Sequence, residues 1–400
     1  MPDASEARDA CRGAPIPRPR PDRRMDLRCR CSECGAVLAA LPPAPQCPAC
    51  GGPLELVPVR LPAFPRPLLQ ARAWTLWRYR EALPDVGAPV SLGETVTPLV
   101  PLGAGCGGVL LKCEHQLPTG SYKDRGAALL MSYLRACRVT AAVEDSSGNA
   151  AASLAAYAAR AGIALTVFCP ATAAAAKLAQ SRCHGARVKP IPGPRAAATE
   201  ALRAHLREQP VVYASHLWHP LFLEGVKTMA FEIVEQLGWV APAAVVCPVG
   251  AGSILLGLYR GFAELRQAGA IARLPRLVAV QTEAMPAVWQ AFHAGADTVA
   301  PCAEARPTRA AGIALPGPVR GRQVLEALRA SGGTAIAVSE TEIRRGEEAL
   351  GRAGFCVEPT SAVVWPALQR LRTDLGLAGA AVVVAVLSGH GLKTMGDAAP

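Results

Sequence analysis

Short apolar runs alternate with longer amphipathic, alanine-rich stretches along most of the chain. The runs that predict β-strands lie at residues 109–111, 140–143, 165–168, 243–247, 277–280 and 380–387. The stretches that predict α-helices lie at residues 121–138, 149–161, 173–184 and 254–262. Alternation at this spacing is typical of βαβ units, which build parallel sheets covered by helices. Residues 381–387 are apolar throughout, as expected for a central strand covered on both faces.

The N-terminal part of the chain does not follow this pattern. Residues 1–26 are rich in arginine and proline and have no hydrophobic period, which predicts a disordered basic tail. A short cysteine-containing segment at 27–57 comes next, and a proline-rich linker leads into the alternating region.

Composition narrows the class of protein. The chain has 400 residues, of which 51% are hydrophobic and 18% charged, so it is too apolar to be disordered and long enough for two domains. Among its 42 basic residues are six lysines, so lysine chemistry has few candidates. The longest uncharged run, 237–259, is broken by proline and glycine and does not predict a membrane span. The N-terminus lacks an apolar signal core, so we expect a cytoplasmic protein whose 14 cysteines are thiols or metal ligands.

Four cysteines have the spacing of a zinc ribbon. Two Cys-x-x-Cys pairs are separated by twelve residues, and each pair is followed by glycine. Four thiolates in this pattern form a closed tetrahedral site, and so short a segment needs the metal for its folding energy. We therefore predict structural zinc on Cys31, Cys34, Cys47 and Cys50. The alternative is a degenerate ribbon that folds without metal. Because zinc ribbons often bind nucleic acid, that partner stays a lesser alternative.

Lys123 is the most informative lysine. It follows the turn Pro-Thr-Gly-Ser and lies in the first turn of a predicted helix, where its charge opposes the helix dipole. That position is unfavourable for a structural lysine. It suits an amine that must lose its proton or form a Schiff base.

Three further stretches lie at predicted strand-to-helix or strand-to-loop junctions. Residues 144–150 (Glu-Asp-Ser-Ser-Gly-Asn-Ala) could receive a carboxylate, although they also fit an ordinary helix N-cap. Residues 248–253 (Pro-Val-Gly-Ala-Gly-Ser) could hold a phosphate at a helix N-terminus. Ser388 ends the last strong strand, at the carboxyl edge where α/β proteins bind ligands.

Together these motifs resemble the fold-type-II pyridoxal-phosphate (PLP) enzymes and, within them, the threonine synthases. The matching stretches occur in the family order at 118–126, 146–149, 223–228, 248–252, 358–362 and 388–393. The resemblance implies an α/β, tryptophan synthase β-like fold of two domains with parallel sheets flanked by helices, preceded by the small zinc ribbon. It implies a large PLP-binding domain from 58–112 and 213–400, a small mobile domain at 113–212, and a homodimer.

The resemblance also implies roles for single residues. Lys123 would be the catalytic lysine that binds PLP as a Schiff base, and Asn149 would hydrogen-bond the ring hydroxyl of PLP. The substrate carboxylate would be held by Ser146, Ser147, Gly148 and Asn149. The cofactor phosphate would be held by Gly250, Ala251, Gly252 and Ser253. Ser388 would face the pyridine nitrogen.

A hydroxyl at this nitrogen leaves it largely unprotonated, which disfavours transamination and favours elimination or replacement at the β or γ carbon. The activity implied is that of a carbon–oxygen lyase acting on a small amino acid, with threonine synthase as the nearest match. The alternatives are a serine/threonine dehydratase-type ammonia-lyase and a cysteate-synthase-like β-replacement enzyme. A more distant alternative is a zinc-ribbon binding protein without catalysis.

Three departures from the threonine synthase pattern concern donors for a substrate phosphate. Where the family has the motif Asn-Pro-x-Arg, this chain has His219 in place of the asparagine and Phe222 in place of the arginine. Ala150 stands where the family has a threonine. The family's Pro-x-Gly-Lys segment becomes an alanine-rich run at 170–176. Phenylalanine cannot replace an arginine fork on phosphate, so these departures argue against O-phosphohomoserine. Either His216 or His219 could supply a donor instead, or both could serve packing.

Overall fold

The structure is a computed structural model of the full chain. It describes residues 27–394 except 40, 42–44, 58–62, 104–107, 174, 305 and 375–380. The predicted basic tail at 1–26 lies outside the described residues. In the part that is described, no helix has the length and apolarity needed to cross a bilayer.

The described strands form three sheets. Their bounds are β1 Cys29–Cys31, β2 Val37–Leu38, β3 Leu54–Leu56, β4 Leu99–Pro101, β5 Val109–Lys112, β6 Ala141–Glu144, β7 Ala164–Pro170, β8 Arg187–Ile191, β9 Val212–Tyr213, β10 Ala244–Pro248, β11 Arg276–Thr282, β12 Thr334–Val338 and β13 Val383–Val386. A small antiparallel sheet has the order β2-β1-β3. A six-stranded sheet has the order β12-β11-β10-β13-β5-β4 and is parallel except for its edge strand β4. A four-stranded parallel sheet has the order β8-β7-β6-β9.

Helices surround the two larger sheets. Their bounds are α1 Arg66–Gln70, α2 Lys123–Ala136, α3 Asn149–Ala161, α4 Ala175–Cys183, α5 Arg195–Glu208, α6 Pro220–Val226, α7 Thr228–Gln236, α8 Ser253–Gln267, α9 Ala287–His293, α10 Gly321–Ala330, α11 Glu340–Arg352, α12 Pro359–Ala362 and α13 Val364–Asp374. The predicted α/β class with parallel sheets is confirmed. The strands of the four-stranded sheet fall between residues 141 and 213, while the division at 113–212 into a separate mobile domain stays a prediction.

Most predicted elements are present, with shifted ends. The helix predicted at 121–138 is shorter at both ends: Ser121 pairs with Gly389 in a β-bridge, and Arg138 has a positive φ of 58°. The strand predicted at 380–387 is β13, Val383–Val386, which lies between β10 and β5 and is buried at every position. A strand in the middle of a sheet that is covered on both faces is apolar on both faces, which explains the uninterrupted apolar run in the sequence.

A buried ion network joins the helix that begins at Lys123 to the six-stranded sheet. Arg125 donates from Nε to Glu114 Oε2 at 2.6 Å and from Nη1 to Glu232 Oε1 at 2.6 Å. Lys112, the last residue of β5, donates to Glu232 Oε2 at 2.7 Å and to the Thr97 carbonyl at 2.8 Å. Burial opposes ionisation of Glu232, but the two cations outweigh it and lower the pKa of Glu232.

Replacement of Arg125 tests this network. The Arg125→Met variant leaves two buried carboxylates short of a partner, and we expect it to lower the free energy of unfolding by about 3–5 kcal/mol. Urea unfolding followed by tryptophan fluorescence measures the change. The control is Arg352→Ala, which removes an exposed pair with Glu348 and should change stability by about 0.5 kcal/mol or less. Equal effects of the two variants would contradict the prediction.

Candidate active site

The turn before Lys123 is held against the loop that follows β13. The Tyr122 amide donates to the Ser388 carbonyl at 3.0 Å, and the His390 amide donates to the Gly120 carbonyl at 2.9 Å. Gly120 has a φ of +76°, which a residue with a Cβ would rarely adopt. Lys123 and Ser388, which are 265 positions apart in the sequence, therefore lie at one edge of the six-stranded sheet.

Asp124 fixes the same turn from the other side. Its carboxyl group accepts from the Thr119 amide at 2.7 Å, from the Thr119 hydroxyl at 2.5 Å and from the Ser153 hydroxyl at 2.6 Å. Burial raises the pKa of Asp124 to about 6, against the opposing effect of these hydrogen bonds. Because Ser153 belongs to α3, Asp124 joins the lysine turn to the helix that begins at Asn149.

Asn149 is oriented by a carboxylate and a lysine. Its Nδ2 donates to Glu358 Oε2 at 2.9 Å, and Lys393 Nζ donates to its Oδ1 at 3.0 Å. Burial is the main cause that raises the pKa of Glu358. A Cβ on Gly389 would lie 2.4 Å from the Glu358 carboxyl, so only glycine fits there. Glu358 is the N-cap residue of α12.

Ser388 is buried among polar partners. Its hydroxyl lies 3.0 Å from the hydroxyl of Ser361, which also receives a hydrogen bond from the Gly389 amide at 2.9 Å. Ser361 comes from the Glu-Pro-Thr-Ser-Ala stretch at 358–362, so this stretch orients two of the expected ligands, Asn149 and Ser388. Sequence reasoning did not assign Ser361 or Lys393 a place at the site.

The loop from Gly250 to Ser253 opens α8 as predicted. Gly252 has a φ of +86°, and within the described part of the chain no backbone acceptor is found for the amides of residues 250–253. Free amides at the N-terminus of a long helix form a receptor for an anion such as a phosphate. The Ser253 hydroxyl lies 2.8 Å from the Tyr122 hydroxyl, which joins this loop to the residue before Lys123.

The loop at 146–149, which we call the carboxylate loop, also has backbone amides available for an anion. Residues 146–149 connect β6 to the N-terminus of α3, and the Ser146 hydroxyl accepts from the Gly148 amide at 3.2 Å. Ser147 and Asn149 are half-buried, and neither amide has a backbone acceptor among the described residues. This loop can therefore still bind an anion.

His216 and His219, the two histidines close to Phe222 in the sequence, have different surroundings. His219 is the N-cap of α6: its Nδ1 accepts from the Leu221 amide at 3.3 Å. Burial and then the Arg320 charge lower the pKa of His219 to about 3, so it is a neutral packing residue. His216 instead pairs with Glu144, and its ring lies 6.1 Å from that of Phe222.

Phe222 occupies the position at which the family pattern has an arginine. Its side chain is fully buried, and its ring centroid lies 5.6 Å from Lys123 Nζ. A Cβ on Gly126 of α2 would approach the ring to 2.6 Å, so α6 and α2 are in close contact here. The surface next to Lys123 therefore presents an aromatic ring in place of a guanidinium group.

The four predicted metal ligands come together in the small sheet. The sulfur atoms of Cys31, Cys34, Cys47 and Cys50 all lie within 4.8 Å of one another. Tetrahedral zinc–thiolate bonds of about 2.3 Å place sulfur atoms roughly 3.8 Å apart. The Cys31–Cys50 and Cys34–Cys47 sulfur pairs here are at 3.5 and 3.7 Å. Cys29 is buried in β1 and takes no part in the cluster.

This four-cysteine module, residues 29–56, packs against the catalytic core through Glu55. Glu55 Oε1 accepts from Arg260 of α8 at 2.9 Å and from Gln323 of α10 at 2.5 Å. Arg260 also donates to Glu224 of α6 at 2.5 Å. Glu224 also accepts a hydrogen bond from Lys227, whose buried ammonium group lies between Glu224 and Glu264.

Comparison with known proteins agrees with this geometry. The profile of the family described as "Pyridoxal-phosphate dependent enzyme" matches residues 90–389. The chain is 34% identical to the threonine synthase of Methanosarcina acetivorans over 374 residues, which cover 91% of each protein. It is 33% identical to the threonine synthase of Methanocaldococcus jannaschii over 376 residues, 91% of this chain and 92% of the relative. A solved threonine deaminase, from the organism abbreviated T.th., is similar with a TM-score of 0.60 and 28% identity, over 70% of this chain and 87% of that one.

The chain thus belongs to the pyridoxal-phosphate dependent enzyme family and has its fold-type-II architecture. Within that family it is a PLP-dependent lyase of the threonine synthase-like group. The site fits the cofactor chemically: a lysine, a buried hydroxyl and a helix N-terminus whose amides have no backbone acceptor among the described residues lie around one sheet edge. When bound, PLP supplies an electron sink for carbanion chemistry at an amino acid.

The loop at 250–253, which we call the phosphate loop, allows a test of the cofactor site. Gly252 combines a positive φ with a Cβ position only 2.4 Å from Val324 Cγ2, so Gly252→Ala must distort the loop. We expect the dissociation constant of PLP to rise about tenfold or more, because strain of this kind is of order 1–3 kcal/mol. Fluorescence titration with PLP measures it. The matched control is Gly351→Ala in the exposed part of α11, where nothing lies within 4 Å, and the prediction is wrong if both variants bind alike.

Proposed function

We propose that the enzyme catalyses elimination or replacement at the β or γ carbon of a small amino acid. The leading candidate is the threonine synthase reaction, which converts O-phosphohomoserine to threonine and phosphate. The threonine synthase relatives support it, because they match nearly the whole chain. The observation that carries the general reaction type is Ser388, a buried hydroxyl beside the lysine turn.

In this proposal Lys123 is the residue that moves protons. Its amine is attached at the first residue of α2, where the helix dipole disfavours a positive charge. It can then accept the proton from the α carbon and return it to the product. The amides and hydroxyls of residues 146–149 would hold the substrate carboxylate and set the α proton toward this amine. Hydrogen bonds to Glu358 and from Lys393 hold the side-chain amide of Asn149 in one orientation, which supports its proposed role.

A serine/threonine ammonia-lyase is the second candidate, favoured by Phe222. A substrate phosphate needs cationic or multiple hydrogen-bond donors, and Phe222 offers none. His219 cannot compensate, since it is buried as the cap of α6. The same lysine and carboxylate loop would serve either substrate, so the leaving group separates the two candidates.

The Lys123→Ala variant tests the enzyme assignment. Wild-type protein loaded with PLP should be yellow, and the variant should lose this absorbance band together with all turnover, because the lysine binds the cofactor covalently. Lys189→Ala is the matched control and should keep both. Products from O-phospho-L-homoserine, L-threonine and L-serine identify the reaction: threonine with free phosphate indicates a threonine synthase, whereas ammonia with a keto acid indicates an ammonia-lyase. A colourless wild-type protein that resists loading would contradict the enzyme assignment.

The proposal includes structural zinc in the four-cysteine module. Supporting this are the four converging sulfur atoms, with no histidine or carboxylate of the described residues among them, which leaves no open position for catalysis. The contacts of Glu55 with Arg260 and Gln323 favour a role in supporting the core over nucleic-acid binding. Cytoplasmic location and a homodimer stay predictions.

Metal content tests the zinc proposal. Purified wild-type protein should contain one zinc per chain, and Cys34→Ser should lose most of it, because three thiolates leave the tetrahedral site open. We also expect trypsin to cleave the variant faster within the four-cysteine module. Cys183→Ser, which changes an exposed cysteine outside the cluster, is the control. Metal-free wild-type protein whose module resists trypsin would refute structural zinc.

A further inference from the structure

Glu144 and His216 form a buried pair beside Lys123. Glu144 is the last residue of β6, and His216 follows the neighbouring parallel strand β9 by three residues. Nδ1 of His216 is hydrogen-bonded to Glu144 Oε1. Because β6 leads directly into the carboxylate loop at 146–149, the pair lies at the sheet edge where the substrate would be held.

The hydrogen bonds around Glu144 indicate that its carboxyl group carries a proton. Glu144 is fully buried, and its Oε2 has no hydrogen-bond partner among the described residues. An ionised carboxylate with an unpaired oxygen is costly in such surroundings, whereas a neutral acid is tolerated. The adjacent Asp145 accepts at both oxygens, from Tyr213 at 2.8 Å and Thr199 at 2.7 Å. Burial and then the Asp145 charge raise the pKa of Glu144 well above its usual range.

His216 is correspondingly neutral. Burial comes first, and the cations Lys123 and Arg195 also lower the pKa of His216 well below its usual range. With Nδ1 accepting from Glu144, the ring proton must be on Nε2. His216 is 7% exposed and Glu144 is not exposed at all, so the imidazole is the member of the pair that reaches the surface. Its ring lies against Phe222, the same ring that faces Lys123 Nζ.

We propose that His216 donates the proton that a hydroxyl leaving group needs, and that the substrate is a β-hydroxy amino acid. Glu144 is a positioning residue that acts through His216 and resupplies its proton. This inference rests on the second candidate of the proposed function, an ammonia-lyase, and specifies the acid that protonates its leaving group.

The proton transfers balance. Lys123 takes the proton from Cα, the bond between Cβ and oxygen breaks, and its electron pair leaves with the oxygen. Nε2 of His216 gives its proton to this oxygen, so that water departs. Nδ1 takes the proton of Glu144, which becomes a carboxylate. After the product leaves, Nε2 of His216, the more exposed member of the pair, takes a proton from solvent, and Nδ1 returns its proton to Glu144.

A neutral donor pair suits a hydroxyl better than a phosphate. Phosphate departs as a stabilised anion and is bound by cationic donors, while hydroxide is a poor leaving group unless it is protonated as it departs. The site has Phe222 where the family pattern has arginine, together with a neutral acid–imidazole pair. Both features point to a substrate without phosphate.

The test compares two substrates that differ in their need for a proton. L-serine loses a hydroxyl group, whereas β-chloro-L-alanine loses chloride, which needs no acid. Pyruvate formation is measured for wild type, Glu144→Gln and His216→Asn, all loaded with PLP and checked for the yellow band. We expect both variants to lose about 100-fold or more in kcat on L-serine, yet to stay within about threefold on β-chloro-L-alanine. Glu200→Gln, at an exposed position of α5, is the matched control and should leave both activities unchanged.

Each other outcome is decisive. Equal losses on both substrates would show that the pair is only structural, and no loss on L-serine would show that it donates no proton. A wild-type enzyme that acts on β-chloro-L-alanine or O-phospho-L-homoserine, but on neither L-serine nor L-threonine, would overturn this inference and leave the proposed elimination or replacement function standing. A wild-type enzyme that acts on none of these four amino acids would overturn the proposed function itself.

Discussion

The buried guanidinium of Arg125 is the interaction on which the rest of the site depends. It lies two residues after Lys123 and is surrounded by the carboxylates of Glu114 and Glu232. Lys112 completes the network from the end of β5. Buried charges are stable only when they are fully paired, so α2 can occupy one position relative to the sheet. The position of α2 in turn determines where the side chain of Lys123 lies.

Close backbone contacts then bring the other segments to this lysine. Gly225 of α6 lies so near α2 that a Cβ would approach the Arg125 carbonyl to 2.0 Å. On the opposite side the loop after β13 pairs with the turn at Gly120. Asn149 and Ser388 depend on the same stretch, 358–362, for their hydrogen bonds. The site is therefore one connected polar unit, in which a change in any segment alters the surroundings of Lys123.

The four-cysteine module is part of this unit through its contacts. Glu55 accepts a hydrogen bond from Arg260 of α8, the helix that follows the phosphate loop. Arg260 also donates to Glu224 of α6. These are charge-assisted hydrogen bonds between partly buried groups, which are stronger than neutral ones. A module too small to form its own core thus supports the helix that would hold the cofactor phosphate.

The α/β class, the family, the clustering of the four cysteines and the order of the site motifs could all be predicted from the sequence, because each depends on residue types at short, regular spacing. Asn149–Ala161 was predicted to the residue, since glycine residues bound that helix on both sides. The sequence could not reveal that Glu358 and Lys393 orient Asn149, or that Glu144 pairs with His216. Those pairs join residues 72 to 244 positions apart, and no local pattern encodes which buried polar groups will meet. The packing of the six-stranded sheet against the four-stranded sheet settles these pairs, because each buried donor and acceptor takes the partner that the fold places beside it.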